Sequence, residues 1–416
     1  MIEIPRRRYL QAISLASVGG IAGCVGWGSA EHPITENVTE WPSFRGDQYN
    51  TGYAKGVTDV EAEPAIEWEV ETGDDIWGSP IVVDGTVYIG SADNTIYAID
   101  ASTGAVDWTF PTDHRIEGTP AFADGTIFIG SYDKRIYAID AETGDEQWSV
   151  ETDGLIRGSP TVVDGVVYIG VGCHELACAW YAQESDVPEA GWVMAFDADT
   201  GDELWTVPTE FEIVSTPAVT SEAVFIGSSD TNLYCLDTET GEKKWTYETE
   251  HYIWSSPSAA YDTVFFGDWD GYLHAVDADS GERSWKFDTG GEYISASPAV
   301  AADTVYIGTT PINRLGDATP SYGEVIAIDR TEGTEEWRYE TEALEIGSSP
   351  VVTDDYLYTG THAPSGTDGT GLLCLTLEGE EQWFIQSGGR GIGSSPVVLD
   401  GVIYFGGTDN NVYAMR

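Results

Sequence analysis

The chain has 416 residues, 71 acidic against 18 basic, for a formal charge of −53 at pH 7. Such a field repels DNA, RNA and anionic lipid, which argues against a nucleic-acid partner and against a membrane held by charge. An aromatic content of 12% and a hydrophobic content of 41% argue against wholesale disorder, and beyond the first residues no apolar run approaches the roughly 18 residues of a membrane span.

Residues 1–23 read as an export signal: Arg6-Arg7-Arg8, a mild apolar run from Ala12 to Ala22, then small residues before Cys24. Arg6-Arg7-x-Tyr9-Leu10 resembles a twin-arginine signal, and Ile21-Ala22-Gly23-Cys24 looks like a lipobox. Together they predict cleavage before Cys24, lipidation of its thiol, and a cell-surface protein that meets the membrane through that lipid only. A plain secretory signal with an incidental cysteine is the alternative. Residues 24–40 lack periodicity and read as a flexible tether, in which Asn37-Val38-Thr39 is a glycosylation sequon. Acids spread over the whole chain, with five lysines, resemble proteins of extreme halophiles, whose self-repulsion molar salt screens.

The first predicted strand, 66–70, is Ile66-Glu67-Trp68-Glu69-Val70. A repeat with a period near 40 follows. Each unit has an isoleucine four residues before a proline, a tight turn, a Val-Tyr-Ile-Gly strand, an Ile-Tyr-Ala-Ile-Asp strand, Thr-Gly and a tryptophan. Proline recurs eight times from Pro80 to Pro396, and tryptophan eight times from Trp68 to Trp383, but the series are offset. The first tryptophan has no proline before it, and the last proline has no tryptophan after it. Short alternating or β-branched runs between turn residues are strands. Four per unit predict an all-β, eight-bladed propeller of four-stranded antiparallel blades over 41–416. The surplus strand 66–70 pairs into the last blade and closes the ring. The prolines fit the innermost strand, which has a free edge.

Ala98-x-Asp100-x2-Thr103-Gly104-x3-Trp108 and its copies resemble the tryptophan-docking repeat of pyrroloquinoline-quinone-type propellers. The segments Trp41-Pro42-Ser43-Phe44-Arg45-Gly46-Asp47 and Asn50-Thr51-Gly52 look like the stretch that precedes such repeats. A WD40 propeller is the competing eightfold reading, but the only Trp-Asp pair, Trp269-Asp270, falls in a turn. The resemblance implies two kinds of function. One is a quinone-dependent alcohol or sugar dehydrogenase, with calcium or a lanthanide held by Glu, Asn and Asp, an Asp base and often a disulfide between adjacent cysteines. The other is a lipid-anchored scaffold like that of the outer-membrane assembly machinery. No Cys-Cys pair exists here, and no metal triad can be assigned. No catalytic residue, metal or cofactor is therefore assigned, and pyrroloquinoline quinone with calcium enters only under the dehydrogenase alternative.

Eight internal copies separate structure from site. The isoleucine series, Ile76 to Ile392, is invariant and reads as core. One residue later the copies diverge, giving Trp77, Glu117, Arg157, Val214, Trp254, Ser295, Gly347 and Gly393. Alternation sends this series toward the channel mouth. Trp77 and Trp254 fall in opposite blades, Glu117 and Arg157 in adjacent ones. These four are the candidate ligand or partner residues: aromatic walls with an acid and a cation suit a flat polar ligand. The alternative is that Glu117 and Arg157 simply pair while the tryptophans plug the channel.

Three insertions, 171–191, 309–323 and 361–371, are expected on the mouth face as a protein-binding surface or as drift in exposed connections. Cys173 and Cys178 form a disulfide or, with His174, part of a zinc site. Cys235 and Cys374 replace Ala98 and read as buried hydrophobes, and Asp268-x-Asp270-Gly271 reads as a hairpin cap rather than a calcium loop. The functional expectation is a cell-surface, lipid-anchored propeller that binds or scaffolds protein. The alternatives are the quinone-dependent dehydrogenase and a small-ligand binder at the mouth.

Overall fold

Each repeat folds as a meander because its runs are short and its turns are specified. In blade one the strands are Ile81–Val83, Thr86–Gly90, Thr95–Asp100 and Val106–Pro111, paired antiparallel in chain order. Asp84 and Gly85, with φ of 50° and 75°, make the tight turn between the first two. The structure is a computed structural model and describes residues 37–173, 190–290, 293–311, 322–342, 346–363 and 369–416. The signal segment, Cys24, Cys178 and the centres of all three insertions lie outside the described residues.

Eight four-stranded sheets result. The last comprises Val397–Leu399, Val402–Gly406 and Asn411–Met415, and Ile66–Glu71 completes it on the outside. Trp68 pairs with Ala414 and Val70 with Val412, so the expected closure is present.

The blades are joined by tryptophan. Trp68, on the outer strand of blade eight, donates its indole N–H to the Ala101 carbonyl of blade one at 2.9 Å. Its ring lies on Gly104, whose φ is +70° and where a Cβ would come within 2.8 Å of the indole. Asp100 shapes that turn by accepting the Ser102 and Thr103 amides at 3.1 and 2.8 Å. The same contact repeats around the ring, for example Trp108 to Ala141 and Trp245 to Ala278, both at 3.0 Å. In the seventh unit the turn is one residue tighter, with Gly379 N–H bonded to Thr376 O at 3.0 Å. The core sits between neighbouring blades: Tyr88 and Ile96 of blade one pack with Ile127 and Ile139 of blade two.

Around the axis runs a closed belt of eight hydrogen bonds. The residue before each proline is serine or threonine, and its hydroxyl accepts the corresponding amide of the preceding blade. Ser79 N–H meets Thr119 Oγ1 at 2.9 Å, Thr119 N–H meets Ser159 Oγ at 2.9 Å, and so on until Ser395 N–H meets Ser79 Oγ at 2.9 Å.

Residues 41–54 close one end of the channel. Trp41 exchanges two backbone bonds with Val82 of blade one, and Pro42 accepts the Phe122 amide of blade two. Gln48, Tyr49, Thr51 and Gly52 then accept amides from blades four, five, six and seven in turn. The segment thus circles the axis in the order of the blades. Arg45 is fully buried within it and donates to Asn50 O at 3.1 Å and Pro298 O at 3.0 Å. Burial works against both charges there, lowering the pKa of Arg45 and raising that of Asp47. The end of the stretch read as tether is also held: Val38 N–H bonds Lys55 O at 2.9 Å, and its side chain packs against the core cluster of the closing blade.

Candidate functional site

The isoleucines are buried to 1% exposure or less; they lie in the extended segments before each first strand, and the residue after each lines the channel. Trp77, Glu117, Arg157 and Trp254 are each partly exposed and line a cavity of about 160 Å³ at the open end of the channel. Phe44, from the segment that closes the other end, also lines it. All four predicted residues therefore share one site.

The ionic groups of the mouth are paired with one another. Arg157 Nε lies 3.8 Å from Glu117 Oε2, and Arg157 Nη1 lies 3.9 Å from Glu212 Oε1. Glu117 also has Arg115 Nη1 at 3.6 Å and accepts the Tyr132 hydroxyl at 2.5 Å. The Arg157 guanidinium stands 5.3 Å over the Trp254 ring, a cation–π arrangement. Trp254 donates to Ser229 Oγ at 3.0 Å and meets Trp269 edge-on at 4.2 Å. Opposite, Trp77 has Arg390 at 5.4 Å and His362 at 5.4 Å. Arg390 in turn pairs with Asp75.

Tyr132, Ser229, Trp269 and His362 are among the residues that sequence reasoning missed, as are the ionic partners Arg115, Glu212 and Arg390. Each of the first four stands two residues beyond the glycine of the second-strand motif, where the eight copies read Ala92, Tyr132, Gly172, Ser229, Trp269, Thr310, His362 and Thr408. That divergence was a second signal of the same kind as the first. The described ends of two insertions belong to this ring: Thr310 bridges to Tyr293, and His362 bridges to Gly391.

A family model described as outer membrane protein assembly factor BamB matches residues 22–177, 189–343 and 321–416. The chain belongs to this family. BamB of Moraxella catarrhalis is 17% identical, with a TM-score of 0.67 over 85% of this chain and 100% of that one. The quinohemoprotein alcohol dehydrogenase of Comamonas testosteroni is 16% identical, with a TM-score of 0.75 over 91% of this chain and 81% of that one. A europium-containing methanol dehydrogenase is also 16% identical, at a TM-score of 0.70 over 92% and 98%. At these identities the likeness is one of fold alone. No curated protein sequence matches the chain.

The mouth of this BamB-family propeller does not suit the metal that a quinone dehydrogenase uses. Glu117 and Glu212 both face Arg157 and Asp75 pairs with Arg390, so a calcium ion there would meet a guanidinium. Among the described residues no group of three or more His, Cys, Asp or Glu side chains is placed to hold a metal. Asp268 caps its hairpin, accepting the Asp270 and Tyr272 amides at 3.0 and 2.9 Å. Cys235 and Cys374 are free and buried, and burial pushes the Cys235 thiol up to about 12. Of the Cys173–Cys178 pair, only the backbone of Cys173, at the end of its strand, is described.

Proposed function

We propose that the protein is a scaffolding module, exported and held at the cell surface by a lipid on Cys24, that docks a protein partner on the face around Trp77 and Trp254. The observation that carries this reading is the internal pairing of the mouth. Glu117 and Glu212 both pair with Arg157, while the tryptophans stand beside them and His362, at the described end of one insertion, lies against Trp77. Such a face offers contact area rather than an acid, a base or a nucleophile poised for reaction. Membership of the BamB family supports a binding role in general. The test is affinity capture from native membranes in high salt with the lipidated protein. A discrete, stoichiometric partner is expected, and capture of none contradicts the reading.

The cavity favours a second reading, in which Trp77 and Trp254 hold a small flat ligand. Trp77→Ala with Trp254→Ala then abolishes binding of a ligand found by thermal-shift screening. Incubation with pyrroloquinoline quinone and calcium, followed by dye reduction, tests the dehydrogenase alternative, which finds no support in the donor set of the mouth.

A further inference from the structure

Blade five departs from the repeat at positions that meet in space. After the second-strand glycine it has Asp268 where other blades have Ser91, Ser131 and Ser228. It has His274 where others have Tyr97, Tyr137, Tyr234 and Tyr413. Asp268 and His274 are both buried, at 0% and 2% exposure. Asp268 Oδ2 lies 2.8 Å from His274 Nε2, and His274 Nδ1 lies 3.1 Å from the Tyr247 hydroxyl. Phe266 stacks on the imidazole at 4.9 Å. Burial lowers the His274 pKa against the pull of Asp268. A neutral imidazole satisfies the whole chain: Nε2–H donates to Asp268 and Tyr247 O–H donates to Nδ1. The other Asp268 oxygen takes the two amides of the following turn. A buried carboxylate thus pins to the sheet the turn that carries Trp269.

What that turn presents is an aromatic shelf. Trp269 lies 4.2 Å from Trp254, 5.2 Å from Tyr293, 5.9 Å from Tyr252 and 6.0 Å from His251, and all five are partly exposed. Neighbouring Tyr272 already carries the Lys286 ammonium 3.4 Å over its ring, as Trp254 carries Arg157. Asp288, Glu250 and Asp270 lie close enough to Tyr272 for their charges to raise its pKa, with Asp288 the largest cause.

We propose that this shelf is the contact point for a lysine or arginine side chain on an exposed segment of a protein partner. The inference rests on the scaffolding reading above and adds the partner's chemistry. Aromatic faces attract cations, the three carboxylates around Tyr272 add to that attraction, and a chain of charge −53 steers positive segments toward itself. An acidic segment is repelled by those carboxylates and by the net charge, which outnumber Arg157 and Lys286 beside the shelf, and a neutral one gains nothing from the acids.

Calorimetric titration of the intact protein with the capped peptide Gly-Arg-Gly-Arg-Gly at 2 M KCl, which screens diffuse attraction, tests the proposal. Trp269→Ala is expected to weaken binding about tenfold, the span of one desolvated cation–π contact. Trp269→Phe keeps the affinity within about threefold and guards against a folding defect in the alanine variant. Asp107→Asn with Asp124→Asn, in an acidic cleft elsewhere, leaves it unchanged. Equal binding by wild type and Trp269→Ala, no binding by wild type, or equal binding of the glutamate counterpart peptide overturns the proposal. In membrane capture, a partner recovered equally by wild type and Trp269→Ala removes the shelf and leaves the scaffold. Recovery of no partner removes the scaffold reading, and the peptide titration still decides the chemistry of the shelf.

Discussion

The indole Nε1 of Trp383 donates to the carbonyl of Val60 at 3.0 Å across 323 residues of chain. Every other tryptophan of the series reaches the outer turn of the next blade. In blade eight the outer strand is Ile66–Glu71, so no turn joins it to the third strand. Val60, on the approach to the strand Ile66–Glu71, supplies the missing acceptor. Ala65 and Arg416 then exchange backbone bonds at 2.9 and 3.0 Å, so one segment repairs both the sheet and the docking contact.

That joint makes Trp68 a stability hot spot. Trp68→Ala removes a buried aromatic and its bond to Ala101, and is expected to cost about 3 kcal/mol or more in urea unfolding. Gly104→Ala both strains a φ of +70° and drives a Cβ into the Trp68 ring. Gly125→Ala, at +80° with open space around it, carries only the backbone cost of about 1–2 kcal/mol. Equal losses at the two glycines would show that the ring contact is not what Gly104 serves.

The hydroxyl belt predicts a small, specific loss. Ser79→Ala leaves the Ser395 amide without its acceptor at a buried position, at a cost of about 1–3 kcal/mol, whereas Ser79→Thr keeps the oxygen and is nearly neutral. Amide hydrogen exchange at residue 395 should accelerate in the alanine variant alone.

In the mouth, Arg157→Ala deprives Glu212, at 2% exposure, of this cation. A loss of about 2–3 kcal/mol is expected, and adding Glu212→Gln should restore most of it. A double-mutant cycle with no coupling would break the link between the two.

Acid and salt act through different groups. Hydrogen bonds from Thr103 and Ser102 hold the Asp100 pKa below the ordinary value in the fold. A depressed carboxylate contributes stability above its unfolded pKa, near 3.9, and loses it as pH falls through the folded value. The stability gap between wild type and Asp100→Ala, measured at 2 M KCl, should be constant above about pH 5 and close below about pH 4. At fixed neutral pH the Tm should rise from 0.1 to 2 M KCl as the repulsion within a charge of −53 is screened. A flat profile would mean that this charge does not strain the fold.

Much of this was legible because a repeat writes its constraints eight times. The offset of Pro80 and Trp68 gave away the shared last blade, and the contrast between Ile76 and Trp77 separated core from mouth. The hydroxyl belt was hidden although Ser79, Thr119 and their counterparts are uniform, because each bond joins residues of different blades and only the ring brings them together. Residues 41–54 showed no period because each touches a different blade, and a circular path has no linear repeat. Asp268 was recognised as a turn cap, but its bond to His274 spans two strands and needs the sheet.

The account turns on which face of the ring meets the partner. A photo-crosslinking residue at position 347, where Gly347 is exposed and a Cβ meets nothing within 4 Å, reports the mouth. One at Ser102, exposed in an outer turn on the closed side, reports the opposite face. In native membranes a single protein adduct from position 347 and none from position 102 is predicted. Adducts from position 102 alone would contradict the account.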